Sequence, residues 1–150
     1  MNHIMQHCLT LARAEAAKQH GDIPIAAALV HGETGVIIVA SANRVEGDND
    51  PTAHAEMVVI RNATQMLGQK FLEEYDLYVT LEPCAMCAQG ISHARIRRVY
   101  FGAYDPKSGG VEHGARVFDH PQCHHTPEVI GGILERECGE LLTDFFKGKR

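Results

Sequence analysis

The sequence predicts a layered α/β domain. Segments whose apolar residues recur at helical spacing alternate with short β-rich runs, the pattern of strands packed against helices. A second observation is the junction in Leu77 to His93, LYVTLEPCAMCAQGISH, where a β-rich run stops at Glu82-Pro83 and Cys84 and Cys87 follow at i and i+3. The third is size: 150 residues with 45% apolar content can bury one proper core, so residues 1–150 read as a single domain.

In chain order, Ile4, Cys8 and Leu11 recur at i, i+4 and i+7 beside several alanines, predicting a first helix up to about His20. Ile25 to Val30 and Val36 to Ala40 are apolar runs around His31-Gly32-Glu33-Thr34-Gly35, which reads as a hairpin. Ser41 to Asp50 is polar and forms a surface loop. Asp50-Pro51 then marks a helix start, with Asp50 as cap, Pro51 first, Met57, Ile60 and Ala63 or Thr64 on the core face, and Gly68 as stop.

Leu77 to Leu81 is the next strand, and Pro83 opens the cysteine helix, whose first turn holds Cys84 and Cys87. Arg97 to Phe101 is a fourth strand. Gly102 to Pro127 is a long loop with room for one short helix, and Glu128 to Ile130 makes a short fifth strand. Leu134, Cys138, Leu141 and Phe145 set the period of a closing helix from Ile133 to Lys147, with acids early and Lys147 late to match its dipole.

The chemistry gathers around the two cysteines. At a helix N-terminus the positive end of the dipole favours thiolate, the metal-binding form. Upstream, His54-Ala55-Glu56 completes an H-x-E…P-C-x-x-C pattern, the established signature of zinc nucleobase deaminases, tRNA adenosine deaminases among them. Structural zinc sites are closed by four protein ligands, whereas His54, Cys84 and Cys87 leave one position open for water. Zinc so held makes water a nucleophile near neutral pH, and Glu56, close but unbound, is the proton shuttle. His54 and Glu56 lie about 200° apart around a helix, so both reach one site only from its N-terminal end.

Composition limits the alternatives. No apolar run is long enough to span a bilayer, and the first twenty residues lack a signal peptide's apolar centre. Five cysteines without framework spacing fit a reducing, cytoplasmic compartment. A net charge of −5 argues against a nucleic-acid partner, an objection met in part by Arg95, Arg97 and Arg98 and by Lys147, Lys149 and Arg150.

Asp50 to Glu56 (DPTAHAE), Leu77 to Cys87, Arg95 to Lys107 (RIRRVYFGAYDPK) and Leu141 to Phe146 (LLTDFF) closely resemble the bacterial tRNA-specific adenosine deaminases. The resemblance implies a three-layer α/β/α cytidine deaminase-like fold around a five-stranded mixed sheet, and a homodimer with active sites near the subunit interface. It implies one zinc per chain on His54, Cys84 and Cys87, with Glu56 as shuttle, and inosine made at the wobble adenosine of a tRNA anticodon stem-loop. Asn43 would bind the base edge, Ala55 would offer its N–H, Ile25 would pack on the ring, and Asp105 would contact a neighbouring nucleotide.

Two features depart from that family. Ala26 stands where glycine is usual after Ile-Pro-Ile, and could narrow the pocket floor. His120-x-x-Cys123-His124-His125 could be a second metal site, although a His-rich surface loop is the simpler reading. Cys8 and Cys138 read as buried core thiols, and at least one of Phe145 and Phe146 as part of the core stripe. Two alternatives stay open: a free-base or nucleoside deaminase for guanine or cytosine using the same zinc site, and a non-catalytic module in which zinc is a clip.

Overall fold

A computed structural model describes residues 1–148; Lys149 and Arg150 lie outside the described residues. The element order is α1 (Asn2–Ala16), β1 (Ala26–His31), β2 (Ile37–Ala42), α2 (Ala55–Leu67), β3 (Tyr75–Leu81), α3 (Ala85–His93), β4 (Arg98–Ala103), a 3-10 turn (Val117–Asp119), β5 (Glu128–Ile130) and α4 (Glu135–Lys147). The five strands form one mixed sheet in the order β2-β1-β3-β4-β5. β1 is antiparallel to both β2 and β3, while β3, β4 and β5 run parallel.

Strand alternation divides the core in two. Ala27, Leu29, Leu77, Val79, Val99 and Phe101 face α2 and α3, where they meet Val59, Ala63, Ala88 and Ile91. Ala26, Ala28, Val30, Tyr78 and Tyr100 face the other side, against Ile4, Met5, Cys8 and Leu9 of α1 and Cys138 of α4. Each large aliphatic side chain fully buried here contributes about 1.5–3 kcal/mol. Helices therefore cover both faces, giving the three-layer α/β/α architecture of the cytidine deaminase-like fold. Cys8 and Cys138 are buried thiols in the second of these cores, as their spacing predicts.

The elements follow the sequence reading in order and type, while several of their ends are displaced: β2 runs on to Ala42, β3 starts at Tyr75, β4 runs on to Ala103 and α4 starts at Glu135. α1 stops at Ala16, short of His20, because Glu15 turns inward and accepts the Asp22 N–H at 2.7 Å, holding the chain as it leaves the helix. α2 begins at Ala55 and not at Pro51, since the Asp50 carboxylate accepts the Thr52 N–H at 2.8 Å and its hydroxyl at 2.7 Å in a separate turn. Its core face is Ala55, Val59 and Ala63 with Val58, leaving Met57 and Ile60 half-buried. Gly68 ends it in the left-handed conformation at φ 66°, which suits glycine. α3 begins at Ala85, so Pro83 precedes the cap.

Ala26 does not narrow the pocket. Its methyl is fully buried on the α1 and α4 side of the sheet, the face opposite α2 and α3.

Candidate active site

Both cysteines and the histidine owe their positions to helix starts. His54 is the N-cap of α2 in an extended conformation (φ −63°, ψ 150°), and Cys84 is the N-cap of α3 (φ −72°, ψ 175°). A residue at the cap projects off the helix end and is not bound to the 100° step of the helix. That resolves the 200° separation of His54 and Glu56: Glu56 is one turn-step inside α2 while His54 is still outside it. β3 delivers Cys84 by ending at Leu81, so the site sits beyond the carboxyl end of a parallel strand, a common place for ligand crevices.

The ligand atoms converge. His54 Nδ1 lies 3.5 Å from Cys84 Sγ and 3.5 Å from Cys87 Sγ, and one ligand atom of each residue falls within 4.8 Å of the other two. Tetrahedral bonds of about 2.05 Å to nitrogen and about 2.3 Å to sulfur would set N and S about 3.6 Å apart. The spacing and the soft donor set therefore fit zinc.

Electrostatics mark the same point. The Cys84 thiol is held down at about 4 by a hydrogen bond from the Cys87 thiol and by His54, against the effect of burial. Cys87 is pushed up by that same bond and by burial. A coordinating thiol is deprotonated outright, so a bound cation would reverse the rise at Cys87. His54 is raised, chiefly by its bond to Cys84. Glu56 is 4% exposed, and burial pushes its carboxyl up to about 7.

A groove of about 1210 Å³ opens onto these residues, and Ile25, Asn43, His54, Glu56, Cys84 and Asp105 line it. Ile25 is half-buried just ahead of β1. Asn43 is 7% exposed and partly committed to the protein itself: its Oδ1 accepts the Ala55 N–H at 2.8 Å, and its Nδ2 donates to the Ile23 carbonyl at 3.3 Å. The Ala55 N–H is therefore spent on Asn43 and does not point free into the groove, a correction to the sequence expectation. Asp105 Oδ1 accepts the N–H of Lys107 and of Ser108, at 3.2 and 3.0 Å, so its carboxylate also shapes its own turn.

Other expectations are altered. Phe145 and Phe146 both line the groove, with Phe146 49% exposed, so neither completes the core. The arginine cluster is largely spent on partners: Arg97 pairs with Asp76 through two bonds of 2.9 Å, Arg98 with Glu128 at 2.7 Å, and Arg95 lies over the Phe71 ring at 3.9 Å. In the His-rich segment, His120 and His125 bond to the carbonyls of Ala115 and Ile96 at 2.7 Å, and the Cys123 thiol reaches Ser92 and the His125 carbonyl. Among the described residues only His54, Cys84 and Cys87 form a metal-ligand group, which favours the loop reading.

The residue that sequence reasoning passed over is Glu82. It is 2% exposed and accepts N–H bonds from Asp105, Val111, Glu112 and His113 at 3.0, 3.2, 2.9 and 3.1 Å, and it bonds His113 Nδ1 at 2.8 Å. Its signal was an acid between Leu81 and Pro83 at the end of a buried strand, tolerable only if fully bonded.

Comparison with known proteins agrees with this geometry. A family model of the cytidine and deoxycytidylate deaminase zinc-binding region matches residues 1–103. The tRNA-specific adenosine deaminase of Agrobacterium fabrum is 52% identical over 148 residues, covering 99% of this chain and 95% of that protein. A solved structure from studies of A-to-I editing by tRNA:A34 deaminases superposes with a TM-score of 0.89 at 51% identity, over 95% of this chain and all of that one (100%). A guanine deaminase from Bacillus subtilis stands further off, with a TM-score of 0.65 at 33% identity over 85% of this chain and 83% of that one. The chain therefore belongs to the zinc-dependent tRNA-specific adenosine deaminase family.

Proposed function

We propose that residues 1–150 form one deaminase domain that converts adenosine to inosine at the wobble position of a tRNA anticodon, acting as a cytoplasmic homodimer on the anticodon stem-loop. The observation that carries this reading is the convergence of His54, Cys84 and Cys87 beside a buried Glu56 at the end of a groove large enough for a nucleotide and its neighbours. His54, Cys84 and Cys87 would hold one zinc, which when bound supplies a water acidic enough to ionise near neutral pH.

The net reaction adds water across the C6–N bond of adenine, leaving a C6 carbonyl and ammonia. Glu56 takes one proton from the water and passes it to ring nitrogen N1, then takes the second proton from the new C6 hydroxyl and gives it to the amine, so that the C6 carbonyl forms as the C6–N bond breaks and ammonia leaves. Burial suits it to that work, because it raises the carboxyl above its ordinary value and so favours uptake of a proton from water. Asn43, with Oδ1 fixed by the Ala55 N–H and one amide N–H donated to the Ile23 carbonyl, keeps its second amide N–H for an acceptor on the base edge. Ile25 packs on the ring, Asp105 meets a neighbouring nucleotide, and Ala55 acts through Asn43.

A free guanine or cytosine deaminase would use the same centre, and the likeness to a guanine deaminase keeps that reading in view. Incubating the zinc-loaded protein with an adenosine-containing anticodon stem-loop, guanine, cytosine and adenosine separates them. Inosine from the stem-loop alone is expected; efficient turnover of a free base with the stem-loop untouched would overturn the reading. No helix among the described residues is long and apolar enough to cross a membrane. Light scattering should give about twice the 16.5 kDa chain mass.

A further inference from the structure

We infer that His113 is a positioning residue: clamped by Glu82, it fixes Tyr104 and the 105–113 loop as one wall of the substrate groove. Four backbone N–H groups and one imidazole N–H converge on the Glu82 carboxylate, which stands two positions before Cys84. The loop is thus tied to the strand end that delivers the cysteine helix. The tie is tight on the other side as well, where the Gly110 N–H donates to the Pro83 carbonyl at 2.8 Å. Gly110 lies so close to α3 that a Cβ would stand 2.5 Å from the Ala85 nitrogen, and at Gly109 a Cβ would collide with the Glu82 carboxylate. Glycines here permit an approach that side chains would block.

His113 links this anchor to the groove. Its ring is half-buried, with Nδ1 held by Glu82 and an edge-on contact to Tyr104 at 6.2 Å between centroids. Tyr104 in turn stands edge-on to Phe101 of β4 at 5.0 Å, is 39% exposed, and lines the groove with Asp105, Lys107 and Ser108. A tyrosine held between a core phenylalanine and a bonded histidine loses little further freedom when a ligand packs on it, which is how preorganisation improves binding. Removing His113 takes from Tyr104 one of its two ring contacts among the described residues and deprives Glu82 of a side-chain partner.

The test compares His113→Ala with His113→Asn, whose amide can donate to Glu82 in place of Nδ1. Amide hydrogen exchange across residues 105–113 reads the clamp without any substrate, and should quicken about tenfold or more in His113→Ala and return towards the parent rate in His113→Asn. Steady-state kinetics reads the wall: KM for the stem-loop should rise about tenfold in His113→Ala with kcat within about twofold and zinc content unchanged, and fall back part of the way in His113→Asn, which restores the bond to Glu82 but not the ring against Tyr104. Unchanged exchange overturns the clamp, and faster exchange with an unchanged KM makes His113 merely structural. The kinetic arm rests on the proposed function, so the parent protein is assayed first. If it turns over a free base and not the stem-loop, that function has failed, and the same KM comparison on the free base still decides the role of His113.

Discussion

Asn43 reaches across twelve residues to the helix that carries Glu56, its Oδ1 accepting the Ala55 N–H at 2.8 Å. The first N–H groups of a helix have no partner within it, and Asn43 supplies one for Ala55 at the start of α2. A side chain from the preceding loop thus fixes the helix end on which His54 and Glu56 depend, so one residue couples loop order to the catalytic geometry.

Replacing Asn43 by Ala should leave a buried N–H without a partner and cost about 1–3 kcal/mol in urea unfolding. Asn43→Asp keeps the acceptor and should recover most of that stability. It removes the amide donors, so turnover should stay low. Equal activity in Asn43→Asp and the parent would rule out an Asn43 contact to the base.

Much of this site was legible in the sequence because it depends on local spacing. His54-x-Glu56 and Cys84-x-x-Cys87 are short motifs at strand and helix ends, and the structure brings all four residues together. The strands were legible for the same reason, down to Glu128–Ile130. What escaped depends on long-range partners. The start of α2 looked like Asp50-Pro51 until Asn43 and the Asp50 turn moved it to Ala55. The role of Glu82 lies in amides 23 to 31 residues away, and Arg97 looked like free positive charge because Asp76 lies 21 residues upstream on the neighbouring strand.

Cys84→Ser and Glu56→Gln should fail in different ways. Cys84→Ser removes a ligand and should lower zinc content and melting temperature together, since metal binding to a folded site is folding free energy. Glu56→Gln keeps the ligands and a side chain of the same shape, so zinc by elemental analysis and the fold by circular dichroism should be intact while turnover falls at least about 10²-fold. Near-normal turnover would transfer the proton to another group, and loss of zinc would make Glu56 a ligand or its support.

Glu82 should make the protein sensitive to acid. Burial alone pushes its carboxyl up, but the Asp105 N–H, the His113 ring and the N–H groups of Glu112 and Val111 outweigh it and hold the group below its ordinary value. A carboxyl lowered by folding binds its proton more weakly in the folded chain. Its contribution to stability is therefore complete above the unfolded value and is lost as pH falls through the folded one. Glu82→Gln, which aims an amide donor at other donors, should be less stable than the parent by about 3 kcal/mol at neutral pH, and the gap should narrow in acid. Urea titrations from neutral to acidic pH measure both; a constant gap would place the Glu82 effect outside its charge.

The last prediction concerns how an acidic chain grips an RNA. With Arg97 and Arg98 engaged by Asp76 and Glu128, the clustered arginines offer little free charge, and the groove itself carries Asp22, Glu46, Glu56, Glu82 and Asp105. Lys107 is exposed on the groove wall and forms no ion pair among the described residues. A phosphate contact there would release counterions, so Lys107→Ala should weaken stem-loop binding and reduce the slope of log affinity against log salt by about one. Arg98→Ala should leave that slope unchanged, because Arg98 already has its carboxylate. Turnover measured at saturating RNA should hold in Lys107→Ala, since the zinc ligands and Glu56 are untouched. If Arg98→Ala flattens the salt dependence and Lys107→Ala does not, the RNA backbone lies along the β4 and β5 edge, and the charge that steers it there is the arginine cluster after all.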